Sequence, residues 1–116
     1  MTYKNLTDGV ARLYPNEYTA SEMMGWAREV NADVTKNIEK REAQPARVSE
    51  SDTVLIPAPY DDMYRYYILA QIAFYQRDYA AYNQYISLYG ARRSDYAAYY
   101  QRTYGSEGVN FRRWIT

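Results

Sequence analysis

The fold turns on one stretch, Asp61-Asp62-Met63-Tyr64-Arg65-Tyr66-Tyr67-Ile68-Leu69-Ala70-Gln71-Ile72-Ala73-Phe74-Tyr75-Gln76. Met63, Tyr67, Ala70 and Phe74 recur at steps of three or four, and Tyr64, Ile68, Ile72 and Tyr75 make a second row beside them. A helix that is apolar over so much of its circumference belongs in the middle of a bundle. Asp61 reads as its N-cap, with acidic Asp62 in the first turn facing the positive end of the helix dipole. The helix is expected over about 61–76.

Downstream, Arg77-Asp78 is a weak break, and a further helix is expected over about 78–104. Tyr75, Tyr82, Tyr89 and Tyr96 recur every seven residues, with Tyr79, Ile86 and Tyr100 four residues after members of that row. This is a helix-packing pattern. Gly90-Ala91-Arg92-Arg93-Ser94-Asp95 interrupts it, so the helix is expected to bend or restart there with Ser94 as cap. Gly105-Ser106-Glu107-Gly108 should close it, leaving 105–116 as a tail that holds Phe111, Arg112, Arg113 and Trp114.

Upstream, Leu6, Val10 and Leu13 give a short helix over about 5–13, which Pro15 stops by disfavouring helical geometry at Tyr14. Thr19-Ala20-Ser21-Glu22 has the form of a capping box, with Ser21 as a rival cap. Met23, Trp26, Ala27, Val30, Val34 and Ile38 then make one apolar stripe, so a helix is expected over about 19–41. In line with Met23 and Val30, Trp26 reads as core. The segment 43–59 changes character. Pro45, Pro57 and Pro59 break helix, Ser49-Glu50-Ser51-Asp52 is polar, and Thr53-Val54-Leu55-Ile56 favours β structure. It is expected to be an extended connection holding a short strand or small hairpin, and connections of this length are often functional. The expected fold class is all-α: about four helices in one small bundle over residues 1–104.

Composition limits the chemistry. The chain has 116 residues, zero formal net charge, no Cys and no His. Disulfides, thiolate zinc sites, Cys nucleophiles and Ser-His-Asp arrangements are therefore absent by composition, along with the usual general base near neutral pH. Neutrality argues against a general affinity for nucleic acid or anionic membrane. No run approaches the roughly 20 apolar residues that span a bilayer, and Met1-Thr2-Tyr3-Lys4-Asn5 lacks the apolar stretch of a signal peptide. The protein is expected to be made in the cytoplasm. Asp61 and Asp62 are adjacent, so they do not face each other as a catalytic or metal-binding pair would. No catalytic, metal or cofactor site is assigned.

Sixteen tyrosines stand against two phenylalanines and two tryptophans. Tyrosine joins a large apolar ring to a polar tip, a combination that protein interfaces favour. Base stacking by the tyrosine rows would need interleaved cations, and between Tyr60 and Tyr89 only Arg65 and Arg77 are present. Arg92, Arg93, Arg102, Arg112 and Arg113 make the C-terminal third basic. They read either as a solvated face with ion pairs to Asp95 and Glu107, or as contacts to an acidic partner or to DNA. With Phe111 and Trp114 they are the candidate protein-interaction residues. Pro57-Ala58-Pro59-Tyr60 reads as a rigid lead-in to the next helix in preference to a polyproline ligand. The segment 43–55 reads as an arm that reaches a neighbouring subunit. A tetratricopeptide-like array is rejected, because the helix pair over 61–104 has no second copy.

Two stretches carry a resemblance. Leu13-Tyr14-Pro15-Asn16-Glu17-Tyr18, followed by Met23 and by Trp26 to Val30, resembles one opening motif. Leu55-Ile56-Pro57-Ala58-Pro59-Tyr60-Asp61-Asp62-Met63-Tyr64, continuing through Tyr67, Ala70, Gln71 and Ile72 to Tyr82-Asn83, resembles a second and more specific one. Both are similar to small head-tail connectors, or head-completion adaptors, of phages and prophages of Gram-positive bacteria. The resemblance runs from Leu13 to about Tyr104 and leaves out the segment from Phe111 to Trp114. It implies a helical structural protein of the virion neck that binds the portal and the next neck or tail protein. It also implies a ring with its own copies, commonly twelve, around a channel through which DNA passes without sequence recognition. It implies no catalytic residue. The alternatives are a cytoplasmic helical adaptor with no virion role and, less favoured, an enzyme, for which no nucleophile, base and stabiliser can be assembled.

Overall fold

A computed structural model describes residues 1–41 and 49–115, with backbone alone over 105–115. Among the described residues four α-helices form the bundle: α1 (Tyr3–Leu13), α2 (Ala20–Asp33), α3 (Asp62–Tyr75) and α4 (Tyr79–Ile115). The all-α expectation holds. No strand forms among the described residues.

The first helix starts earlier than expected because Thr2 caps it, its hydroxyl accepting from the Asn5 N–H at 3.2 Å. Tyr3, Leu6, Thr7 and Val10 turn inward at helical spacing. Tyr14 is extended ahead of Pro15, and Asn16 then ties the turn: its side-chain amide donates to the Tyr14 carbonyl at 2.8 Å and its Oδ1 accepts from the Tyr18 N–H at 2.8 Å. Thr19, not Ser21, caps α2, accepting from the Glu22 N–H at 3.1 Å. The Glu22 carboxylate answers by accepting a hydrogen bond from the Thr19 hydroxyl at 3.3 Å instead of reaching the backbone.

The helical path over 19–41 is not α throughout. A π turn over Val34–Ile38 follows α2, and Lys40 ends it with a φ of 56°. The wider turn leaves Val34 and Thr35 inside and buries Glu39 beneath α4. A period of 3.6 read from the sequence does not register the extra residue per turn.

Residues 42–48, with the expected start of the connection and part of the expected intersubunit arm, lie outside the described residues. From Ser49 onward the connection packs on the molecule's own N-terminus. The Tyr3 and Lys4 N–H groups, which have no partner within α1, donate to the carbonyls of Asp52 (3.1 Å) and Glu50 (2.9 Å). The Val54 N–H donates to the Met1 carbonyl at 3.0 Å, and Thr2 and Thr53 form an isolated antiparallel bridge. Val54 and Ile56 point inward, and Leu55 points out. The β alternation is real, but its partner is one extended residue before a helix, so it yields a bridge in place of the expected strand or hairpin. The Ala58–Pro59 peptide is cis.

As expected, α3 fills the centre: Met63, Tyr64, Ile68, Leu69, Ala70, Ile72 and Ala73 are buried. Asp61 does occupy the N-cap position, yet its backbone is helical and its side chain caps nothing. The Tyr60 and Asp61 carbonyls accept the first N–H groups of the turn instead. The helix closes in a Schellman motif, with the Asp78 N–H bonded to the Ala73 carbonyl (2.9 Å) and the Arg77 N–H to that of Phe74 (3.1 Å). Arg77 takes the left-handed position at φ 62°, where glycine is usual. Asp78 then caps α4 by accepting from the Ala81 N–H at 3.2 Å.

Two expected interruptions of α4 do not occur. Gly90 costs only about 1 kcal/mol in a helix, and ion pairs from Arg92 to Asp62 and from Arg93 to Asp33 anchor the helix where a break was expected. The helix is unbroken across residues 90–95, so Ser94 caps nothing, and it runs on through Gly105–Gly108 to Ile115. At 37 residues α4 is about 55 Å long, and the molecule measures 54 × 31 × 20 Å. Its radius of gyration of 15.8 Å exceeds the roughly 13 Å of a compact chain near this length, as one overlong helix requires.

Candidate interaction surfaces

The arginines singled out in the sequence separate into three groups. Arg93 lies half-buried and grips Asp33 with two bonds, Nε to Oδ2 at 2.7 Å and an amino group to Oδ1 at 3.2 Å. That grip, helped by Asn37 and Tyr89, holds the Asp33 carboxyl below the usual carboxylate range against the opposing effect of burial. Arg92 bridges α3 and α4. Its Nε stands 2.9 Å from Asp62 Oδ1, an ion pair without hydrogen-bond alignment, and Asp95 lies 3.5 Å away. Both are engaged inside the molecule: the partner of Arg92 in sequence, Asp95, is as expected, while Asp62 and Asp33 come from distant turns. Arg102 is exposed on α4. The side chains of Phe111, Arg112, Arg113 and Trp114 lie outside the described residues, on a helical backbone.

Beneath the last described turns of α4 sits a tyrosine-lined pocket of about 360 Å³. Tyr96, Tyr99, Tyr100 and Tyr104 line it together with Leu55, Pro57, Glu39 and Arg41. Glu39 is only 7% exposed; it accepts from the Tyr96 hydroxyl at 2.8 Å and pairs with Arg41. Burial and this carboxylate push the Tyr96 phenol up. Both Glu39 carboxylate oxygens are taken, one by Arg41 and one by Tyr96, so the three residues work as a lock between the π turn and α4.

The opposite end is different. Phe74, Tyr75 and Tyr79 are 45%, 59% and 55% exposed around the α3–α4 turn. Phe74 meets Tyr75, Tyr79 and Tyr82 at ring separations of 5.4–6.2 Å. Trp26 is half-buried and sits at the rim of the core, not inside it as its register implies, with Tyr18 edge-on at 5.2 Å and Tyr75 stacked at 6.1 Å. Tyr79 likewise points to solvent despite its heptad position. Beside these rings opens a groove of about 730 Å³, lined by Pro15, Asn16, Glu17, Tyr18, Glu22 and Gln76. Sequence reading took these residues as turn and cap. The signal it missed was two carboxylates, five residues apart, flanking an aromatic at a tight turn. Nearby, burial and then Asp78 push the Tyr14 phenol up.

Among the described residues no cluster of carboxylates has the spacing of a metal site, and no helix is long and apolar enough to cross a membrane. No family model, no curated protein and no solved structure matches the chain.

Proposed function

We propose that this protein is a structural adaptor of the phage neck, a head-tail connector that binds the portal, the next neck or tail protein and further copies of itself in a ring. The observation that carries this reading is the exposed aromatic end at the α3–α4 turn, three large rings uncovered around Trp26. Contiguous exposed rings of this kind mark protein contact surfaces. The long α4 supports the reading, since it places an aromatic end and an arginine-bearing end on one rigid rod.

The two stretches that resemble connectors also take structural roles suited to a scaffold. Tyr14 and Asn16 set the α1–α2 turn, while Ile56, Met63 and Tyr64 are buried. Function on this reading is mechanical: a rigid bundle holds two surfaces at a fixed distance and supplies no chemistry.

The test is quantitative mass spectrometry of purified tailed particles from the induced source strain, counting this chain against the portal subunit. A ratio near one to one is expected. Absence from intact tailed particles would overturn the neck assignment and favour the cytoplasmic adaptor.

A further inference from the structure

Charge is unevenly spread along this neutral chain. Residues 91–116 hold five arginines against Asp95 and Glu107, a net +3, so residues 1–90 carry −3. The groove beside the exposed rings lies in the acidic part. Among the described residues that line it, Glu17 and Glu22 are the charged ones, and both are exposed. Tyr18 lines the groove with them, and Trp26 packs on Tyr18. Acceptors, aromatic surface and about 730 Å³ of space are therefore assembled in one place.

The segment that complements this groove is in the same sequence. Residues 109–116 read Val-Asn-Phe-Arg-Arg-Trp-Ile-Thr: two guanidiniums flanked by two aromatics, with no acidic side chain. Arginine forks match carboxylates and stack on rings, and arginine and tryptophan are the residues that anchor interfaces. The segment cannot reach its own groove. Gln76, in the groove wall, sits just ahead of the first turn of α4, whereas Phe111 to Trp114 sit at the last turns, about 50 Å along a continuous helix.

We infer that the C-terminal end of α4 in one copy, through Arg112, Arg113 and the aromatics beside them, docks in the Glu17–Tyr18–Glu22 groove of a second copy. The contact is heterologous, head to tail. Made reciprocally, the contact closes a two-fold dimer; made in one direction only, its repetition closes into a ring or continues as a filament. The inference rests on the self-association half of the proposed function and names its surface.

Sedimentation velocity on the full chain at high protein concentration tests it. A groove variant carries Glu17→Lys with Glu22→Gln, the glutamine retaining an acceptor for the α2 cap. A tail variant carries Arg112→Ala with Arg113→Ala, so that it cannot pair with the lysine of the groove variant. Circular dichroism checks that both fold. The parent is expected to form concentration-dependent dimers or larger oligomers, and each variant alone to associate about tenfold more weakly. Mixed together, the variants are expected to form one-to-one dimers that grow no further, because one intact tail meets one intact groove. Since the chain has no cysteine, a disulfide trap gives a second measurement. Glu17→Cys mixed with Arg113→Cys should cross-link between chains, and Glu50→Cys with Arg113→Cys should not. A parent that neither associates nor cross-links through Glu17, variants that associate like the parent, or mixtures that fail to complement would each overturn the inference. None of these outcomes bears on presence in tailed particles, so the two readings fail separately.

Discussion

Tyr64 and Tyr75 lie on one helix, three turns apart, and do opposite work. Tyr64 is fully buried. Its hydroxyl accepts from the Ile56 N–H at 3.1 Å and donates to Asn31 Oδ1, while the Asn31 amide donates to the Tyr3 hydroxyl at 2.9 Å. The rings of Tyr3 and Tyr64 meet edge to face at 6.4 Å. One network thus ties α1, α2, the connection and α3 together. Tyr75 has a comparable ring stacked on Trp26, but most of it faces water, as does most of Tyr79 and nearly half of Phe74 beside it. The difference teaches what this chain uses tyrosine for. Inside, the phenol is a polar fastener that must find partners, because an unpaired buried hydroxyl is costly. At the α3–α4 turn the ring supplies surface and water satisfies the hydroxyl. Identical residue types in the same helical pattern are fold at one end and exposed surface at the other.

The sharpest way to break this contrast is to truncate each ring and measure stability by chemical denaturation. Tyr64→Ala removes a fully packed aromatic and is expected to cost about 3–5 kcal/mol. Tyr64→Phe keeps the ring but leaves the Ile56 N–H and Asn31 without their partner, and is expected to cost about 1–3 kcal/mol. A Tyr64→Phe protein as stable as the parent would mean that the network is ornamental and that ring packing alone matters.

A smaller effect is expected at the Asp33–Arg93 pair, which joins α2 to α4 midway between the two ends. Near neutral pH, Arg93→Ala is expected to cost up to about 1 kcal/mol, as for partly exposed pairs. The dependence on pH gives the sign. The folded state holds the Asp33 carboxyl below its ordinary value, chiefly through the Arg93 bond. The stabilisation is therefore complete above about pH 4, where the unfolded carboxyl is ionised, and is lost as pH falls through the lower folded value. The deficit of Arg93→Ala should shrink as the medium is acidified below about pH 4. A deficit that stays constant would assign the loss to packing of the arginine stem.

The smallest effect is expected at the exposed end. Tyr75→Ala should change stability by about 0.5 kcal/mol, since most of its surface is already in water. A loss of several kcal/mol there would make the aromatic end part of the core and remove the argument for a contact surface.

The sequence by itself determined the number of helices, the central place of α3, the stop at Pro15 and the cap at Thr19. These follow from short-range rules, namely apolar spacing, a missing N–H and a hydroxyl next to free backbone donors. It also determined the basic C-terminal third by count alone. Only the tertiary structure decided what those arginines do, because Arg92 and Arg93 meet Asp62 and Asp33 from other helices, and spacing along the chain does not encode such meetings. It likewise decided that Gly90 would not break α4, since anchors from outside the helix outweigh a penalty of about 1 kcal/mol. Thr53 to Ile56 became a bridge and not a hairpin because the available partner was the first residues of the chain, already committed to a helix. Which tyrosines are buried was settled the same way. The heptad placed Tyr75, Tyr79 and Tyr96 on equivalent rows, and only the positions of Glu39 after the π turn and of the connection covered Tyr96 and left the other two exposed.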